Sequence, residues 1–203
     1  MMFKKICVLF IFLILVSSLM VTISAVDVNG IDFKIPNKYL GGETKSDGYQ
    51  LENIFGIFCI DDNLPQRVGF WASESDHNDS LDIDNHPVRY YYSYNQYVSD
   101  NMSHAYFSSG NSFYEIFWVG NQITPDIEKL IKDTPDSEIG SDSFNSIVDN
   151  AIDTYIKDRD DQLSYDSLYN DYEARSSSKS GYGKTNYDRL REGYITFYNN
   201  RYH

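Results

Sequence analysis

The chain has 203 residues, with 30 acidic against 17 basic groups, a net charge of −13 and 18 tyrosines. That length suffices for one substantial core, or for one domain with an extension. The acidity excludes nucleic acid as a partner, because phosphate binding needs a basic face.

Lys4 and Lys5 precede an apolar run from Ile6 to Ile23, broken only by Ser17, Ser18 and Thr22; Ser24-Ala25 then supplies small residues before Val26-Asp27. A basic start, an apolar stretch and a small-residue exit are the pattern of a secretory signal peptide. Residues 1–25 are therefore expected to send the chain to secretion or to the cell surface, with cleavage after Ala25. The alternative is an uncleaved N-terminal anchor, since this run as a helix would span roughly 27 Å, near the lower limit for a bilayer. Membrane contact is expected only through such an uncleaved leader. Beyond Ala25 the chain carries 15 basic and 30 acidic groups; residues 26–175 hold 10 and 28 of them, residues 176–203 hold 5 and 2. Cys7 belongs to the leader, so Cys59 alone follows it and no internal disulfide can form. Within Ile54–Ile60 that cysteine reads as a small core hydrophobe, because a thiolate nucleophile needs an electropositive pocket.

In the exported part, Val26–Val28 and Ile31–Ile35 alternate on either side of Asn29-Gly30, which predicts a hairpin with a type I′ turn. Pro36 ends its second strand. Tyr49–Ile60 reads as one largely buried strand and Arg67–Ala72 as another. Ser73–Pro87 is expected to be an acidic loop. Val88–Tyr94 returns to strand, and His104–Ser108 with Ser112–Val119 makes a second hairpin about Ser109-Gly110-Asn111. In that last strand Phe113, Glu115, Phe117 and Val119 share one face while Tyr114, Ile116 and Trp118 take the other, the pattern of a central strand. Thr124, Pro125 and Asp126 form a helix start, Glu128 and Lys132 pair at i,i+4, and Pro135 ends the helix. Phe144, Ile147, Val148, Ala151, Ile152, Tyr155 and Ile156 follow the amphipathic template of a second helix capped by Ser141 or Asp142. After Asp158 the chain is polar and tyrosine-rich, with a Ser/Gly linker at 176–183. Leu190, Tyr194, Phe197 and Tyr198 line one face of a short helix beyond it.

Several motifs invite a chemical reading. Asp76, Asn78, Ser80, Asp82 and Asp84 place oxygen donors at every second position, so Asp76, Asn78, Asp82 and Asp84 are the candidate ligands of an irregular calcium site. An EF-hand is excluded, because Leu81 and Pro87 stand where it needs Gly and Glu. No cofactor is expected apart from this calcium. His77, His86 and His104 lack metal-ligand spacing. Asp61-Asp62 offers a carboxylate for a hydrolase pair but first reads as a turn. Gly181–Thr185 lacks the leading Gly of a phosphate loop. Asn78-Asp79-Ser80 and Asn101-Met102-Ser103 are glycosylation sequons. The tyrosines from Tyr90 to Tyr97 could present a carbohydrate-stacking surface.

The run Val28–Pro36, together with Trp118-Val119-Gly120, Ile123-Thr124-Pro125 and the following helix, resembles small secreted proteins of unassigned function from methanogenic archaea. It is also loosely similar to the PsbP/Mog1-like α+β sandwich. The resemblance covers roughly residues 26–135 and consists of turn and core residues, so it implies a fold and carries over no catalytic residue. The expectation is an α+β domain at 26–158: an antiparallel sheet covered on one face by two helices. A tyrosine-rich extension, partly helical and partly disordered, follows at 159–203. The expected function is that of an exported, non-catalytic cell-envelope or secreted protein binding a protein or glycan partner. The alternatives are an envelope-polymer hydrolase using Asp/Glu and a calcium-dependent surface module.

Overall fold

The computed structural model describes residues 25–177. The leader, the Gly181–Thr185 run and the Leu190–Tyr198 face lie outside the described residues. Asn29 and Gly30 both take positive φ, 54° and 82°, and turn β1 (Ala25–Val28) into β2 (Ile31–Lys34) as the expected hairpin. The remaining strands are β3 (Glu43–Thr44), β4 (Gly48–Leu51), β5 (Phe55–Cys59), β6 (His77–Asp82), β7 (Pro87–Asn95), β8 (Asp100–Ser109) and β9 (Ser112–Val119). Among the described residues they form a seven-stranded antiparallel sheet ordered β3-β4-β5-β9-β8-β7-β6. With helices α1 (Leu64–Glu74), α2 (Pro125–Lys132) and α3 (Ser141–Ser177), the class is α+β, as expected.

Both faces of the sheet are buried, which is why β9 alternates without a polar side. On one face Tyr114, Ile116 and Trp118 meet Phe33 from the hairpin and Ile127, Leu130 and Ile131 from α2. On the other, Phe58, Met102, Tyr106 and Phe117 meet Val68 of α1 and Phe144, Val148 and Ala151 of α3. Two helices cover one face, but they are α1 and α3; α2 lies opposite with the hairpin. Thr124 caps α2 through Ile127 N–H, and Lys132 pairs with Glu128 at 2.6 Å. Arg89 on β7 anchors α3 by bonding Asn145 at 3.3 Å and Asp149 at 2.9 Å. The helix runs on past Asp158 to Ser177 because neither Gly nor Pro interrupts residues 141–177.

Three expectations change. Arg67–Ala72 is not a strand but the middle of α1: Asp61, Asp62 and Asn63 precede Pro65 near the helix start, and Leu64, Val68 and Ala72 repeat every fourth residue. Tyr49–Ile60 is two strands, divided where Glu52 takes a φ of 46° and Ile54 N–H bonds Leu51 O at 3.2 Å. Ser73–Pro87 is no loop throughout, since His77–Asp82 forms edge strand β6. Its bend is a two-residue turn in which Asp84 and Asn85 both have positive φ and Ile83 and His86 exchange backbone bonds. An edge strand needs only one half-buried side, which His77 supplies by stacking on Tyr92 and Leu81 by meeting the core.

Where α1 crosses α3, Gly69 admits the Tyr155 side chain: a Cβ on Gly69 would lie 2.2 Å from Tyr155 Cβ and 2.4 Å from its Cγ. Gly69→Val should therefore destabilise the fold by about 1–3 kcal/mol, read as a lower urea midpoint. Gly140→Ala, with nothing within 4 Å of the new carbon, should leave the midpoint unchanged. Equal midpoints for both variants would show that the helices do not cross at Gly69.

Candidate ligand cleft

The middle of the sheet carries a charge. In register, Tyr106 on β8 faces Glu115 on β9, His104 faces Phe117, and Glu115 also faces Phe58 on β5. These side chains share the face covered by α1, where Arg67 and Trp71, one helical turn apart, lie over them. Glu115 is fully buried. Its Oε2 accepts from Arg67 Nη1 at 3.1 Å, and its Oε1 accepts from His104 Nδ1 at 2.7 Å and from the Tyr106 hydroxyl at 3.1 Å. That hydroxyl also lies 2.9 Å from Arg67 O, which fastens the helix backbone to the same group. The Arg67 guanidinium sits 4.5 Å from the centre of the Phe58 ring.

Burial alone would push the Glu115 carboxyl up; the hydrogen bond from His104, the Arg67 cation and the Tyr106 hydroxyl reverse this and hold it low. Burial pushes the His104 imidazole below its ordinary 6.5, more than the Glu115 bond raises it. Burial also drives the Tyr106 phenol well above 10. At neutral pH the arrangement is a carboxylate, a guanidinium and a neutral imidazole. A carboxylate only accepts, so the imidazole proton is on Nδ1. His104 Nε2 then bears a lone pair, and it is buried with no hydrogen-bond partner.

A cavity of about 240 Å3 opens beside this network. His104, Glu115 and Phe117 form its floor, and Arg67 and Trp71 its helical wall. Asn53 from the β4–β5 turn, Asn95 at the end of β7, and Tyr97 and Val98 from the β7–β8 turn line the rest. Trp71 stacks on His104 with ring centres 3.7 Å apart, and Tyr97 is 85% exposed. Gly56 makes the floor possible, for a Cβ there would lie 2.4 Å from the Phe117 ring. A second hollow of about 360 Å3, lined by Gly42, Glu43, Lys45, Gln50 and Glu52, shares Asn53 with the first.

The residues singled out in the sequence lie elsewhere. Asn78 and Asp82 stand on extended β6, four residues and so roughly 13 Å apart along the strand; Asp76 precedes β6 and Asp84 follows it in the turn. Asp82 accepts from Asn85 N–H at 3.1 Å. Among the described residues, no group of three or more His, Cys, Asp or Glu is placed to hold a metal ion. Asp61 accepts from Phe113 N–H at 2.6 Å and holds β9 in place. Burial pushes the half-buried Cys59 thiol up, away from thiolate. His86 is a clamp, with Nδ1 at Ile83 O and Asp84 O and Nε2 at Pro135 O. Of the two sequons, Asn78 is exposed and Asn101 half-buried. Tyr90 and Tyr91 are core residues on opposite faces, whereas Tyr94 and Tyr97 remain exposed. Glu115, Arg67 and Trp71 were not foreseen as site residues. The available signal was a lone carboxylate in a strand apolar on both faces, which demands buried partners.

The chain matches no protein-family model, and no curated protein or solved structure is detectably similar to it.

The two lowered values have one sign. An unfolded chain takes up a proton on His104 as pH falls through about 6.5, while the folded chain resists until lower pH, so stability is lost on acidification. Glu115, also held low, adds to the loss in stronger acid. The melting temperature should fall from about pH 7 to about pH 5. His104→Asn, which keeps an N–H toward Glu115 but cannot titrate, should flatten the upper part of that fall. A fall of unchanged size in the variant would place the proton uptake elsewhere.

Proposed function

We propose that this is an exported, non-catalytic protein of the cell envelope that binds a glycan in the Trp71–His104–Glu115 cleft. The observation that carries this reading is the lining itself: the rings of Trp71 and Tyr97 and the side-chain amides of Asn53 and Asn95 border one cleft. A sugar offers apolar ring faces to aromatic side chains and hydroxyls to amides and carboxylates. Tyr97 and Trp71 supply the rings, Asn53 and Asn95 the amides. The neighbouring hollow beyond Asn53 gives a polymer somewhere to continue. A protein partner would be expected to use a broader surface than a cleft of this size.

The geometry favours binding over hydrolysis by a carboxylate pair. Such a pair needs two carboxyl groups flanking the bond, one of them protonated. Glu115 is the single carboxylate in the cleft lining, and it is held ionised with both oxygens committed.

Soluble oligosaccharides released from the envelope polymer provide the test. The chain has two tryptophans, of which Trp118 is buried on the far face while Trp71 lines the cleft, so Trp118→Phe isolates the cleft's emission. Binding should alter Trp71 fluorescence, and Tyr97→Ala should weaken it about tenfold. Unchanged emission at saturating oligosaccharide would defeat the glycan reading. Export has its own check: cutting after Ala25 leaves Val26 paired with Phe33, so intact mass of the native protein should begin at Val26. Full-length chain in washed membranes would mean that the leader is retained as an anchor.

A further inference from the structure

We infer that His104 Nε2 is the acceptor that reads a hydroxyl hydrogen of a neutral sugar unit, an inference that rests on the glycan reading above. Glu115 on β9 takes the Nδ1 hydrogen at 2.7 Å. Tyr106, also on β8, has its hydroxyl engaged with Arg67 O and Glu115. Arg67 on α1 directs Nη1 to Glu115, and Trp71 covers a face of the ring at 3.7 Å. None of these groups donates to Nε2, which is buried without a partner in a residue only 3% exposed.

A buried acceptor left without a donor is rare and calls for a reason. The ring cannot turn to relieve it, because the Glu115 bond fixes Nδ1 and the Trp71 stack fixes the plane. His104 is among the residues lining the cleft, so a molecule held there can supply the missing hydrogen. The lone pair makes the reading selective: it accepts from O–H and rejects a second acceptor such as an ether or carboxylate oxygen. Charge points the same way. Arg67 compensates Glu115, leaving no free cation in the lining for an acidic sugar, and the rest of the chain is strongly acidic. The unit that fits is a neutral hexose-like ring with a free hydroxyl directed inward.

The test uses neutral oligosaccharides from the envelope polymer in native and fully O-methylated form, together with uronic-acid oligosaccharides of equal length. Trp71 emission reports binding, and 15N-histidine NMR of the intact exported protein reports Nε2. Native neutral oligosaccharide should move the His104 Nε2 resonance upfield. O-methylation, and separately His104→Asn, should weaken binding about tenfold or more, and the uronic-acid series should bind more weakly than the neutral one. If Trp71 responds while Nε2 stays unmoved, a glycan binds but His104 does not read it. Equal affinity for native and methylated forms would overturn the inference in the same way, as would tighter binding of the acidic series. No Trp71 response to any saccharide would defeat the glycan reading itself. Should His104→Asn fail to fold, the NMR and methylation measurements on the unsubstituted protein still decide the matter.

Discussion

Everything about this domain is arranged around one buried negative charge. Glu115 sits on the central strand with helices on its side, and removing a carboxylate from water costs on the order of several kcal/mol unless partners replace the water. Three partners do so from two elements: Arg67 from the helix above, His104 and Tyr106 from the adjacent strand. Because the Tyr106 hydroxyl also meets Arg67 O, compensating the charge fixes the height and rotation of α1 on the sheet. An apolar residue at this position would leave α1 held by packing alone. The carboxylate makes one position much better than its neighbours.

The cleft follows from where the covering layer stops. α1 ends at Glu74, with Trp71 in its last turn, while α3 lies across the sheet toward β7, where Arg89 ties it. The last turn of α1 covers His104 through Trp71, and the cleft opens beyond it, toward the β4–β5 and β7–β8 turns. On the opposite face the β1–β2 hairpin and α2 cover the sheet, and Trp118 and Tyr114 are closed in. The two faces thus divide the work, one supplying a continuous core and the other a supported opening.

Legibility in the sequence tracked how local the determining physics is. The Asn29-Gly30 hairpin, the Thr124-Pro125 helix start and the double-sided alternation of Phe113–Val119 depend on neighbours in the chain, and each appears where expected. α1 was misread because Arg67–Ala72 is short and apolar, a run for which strand and helix look alike; the decisive turn residues lie just upstream. The site was hidden for a deeper reason. Glu115, His104 and Arg67 are joined by strand register and a helix crossing, and neither is written in spacing along the chain. What could be read was only the anomaly, a carboxylate where both faces of a strand are oily.

The acidity of the segment around β6 has a use that needs no ion. An open sheet exposes two rows of unpaired backbone groups, and a flat apolar edge invites a second molecule to add its own strand. At one end β3 is two residues long, offering little to pair with. At the other, β6 carries Asp79 and Asp82 on a strand whose residues are largely exposed. A like copy approaching that edge would bring carboxylate against carboxylate. Repulsion at such an edge opposes strand addition by a like copy, and it weakens with added salt.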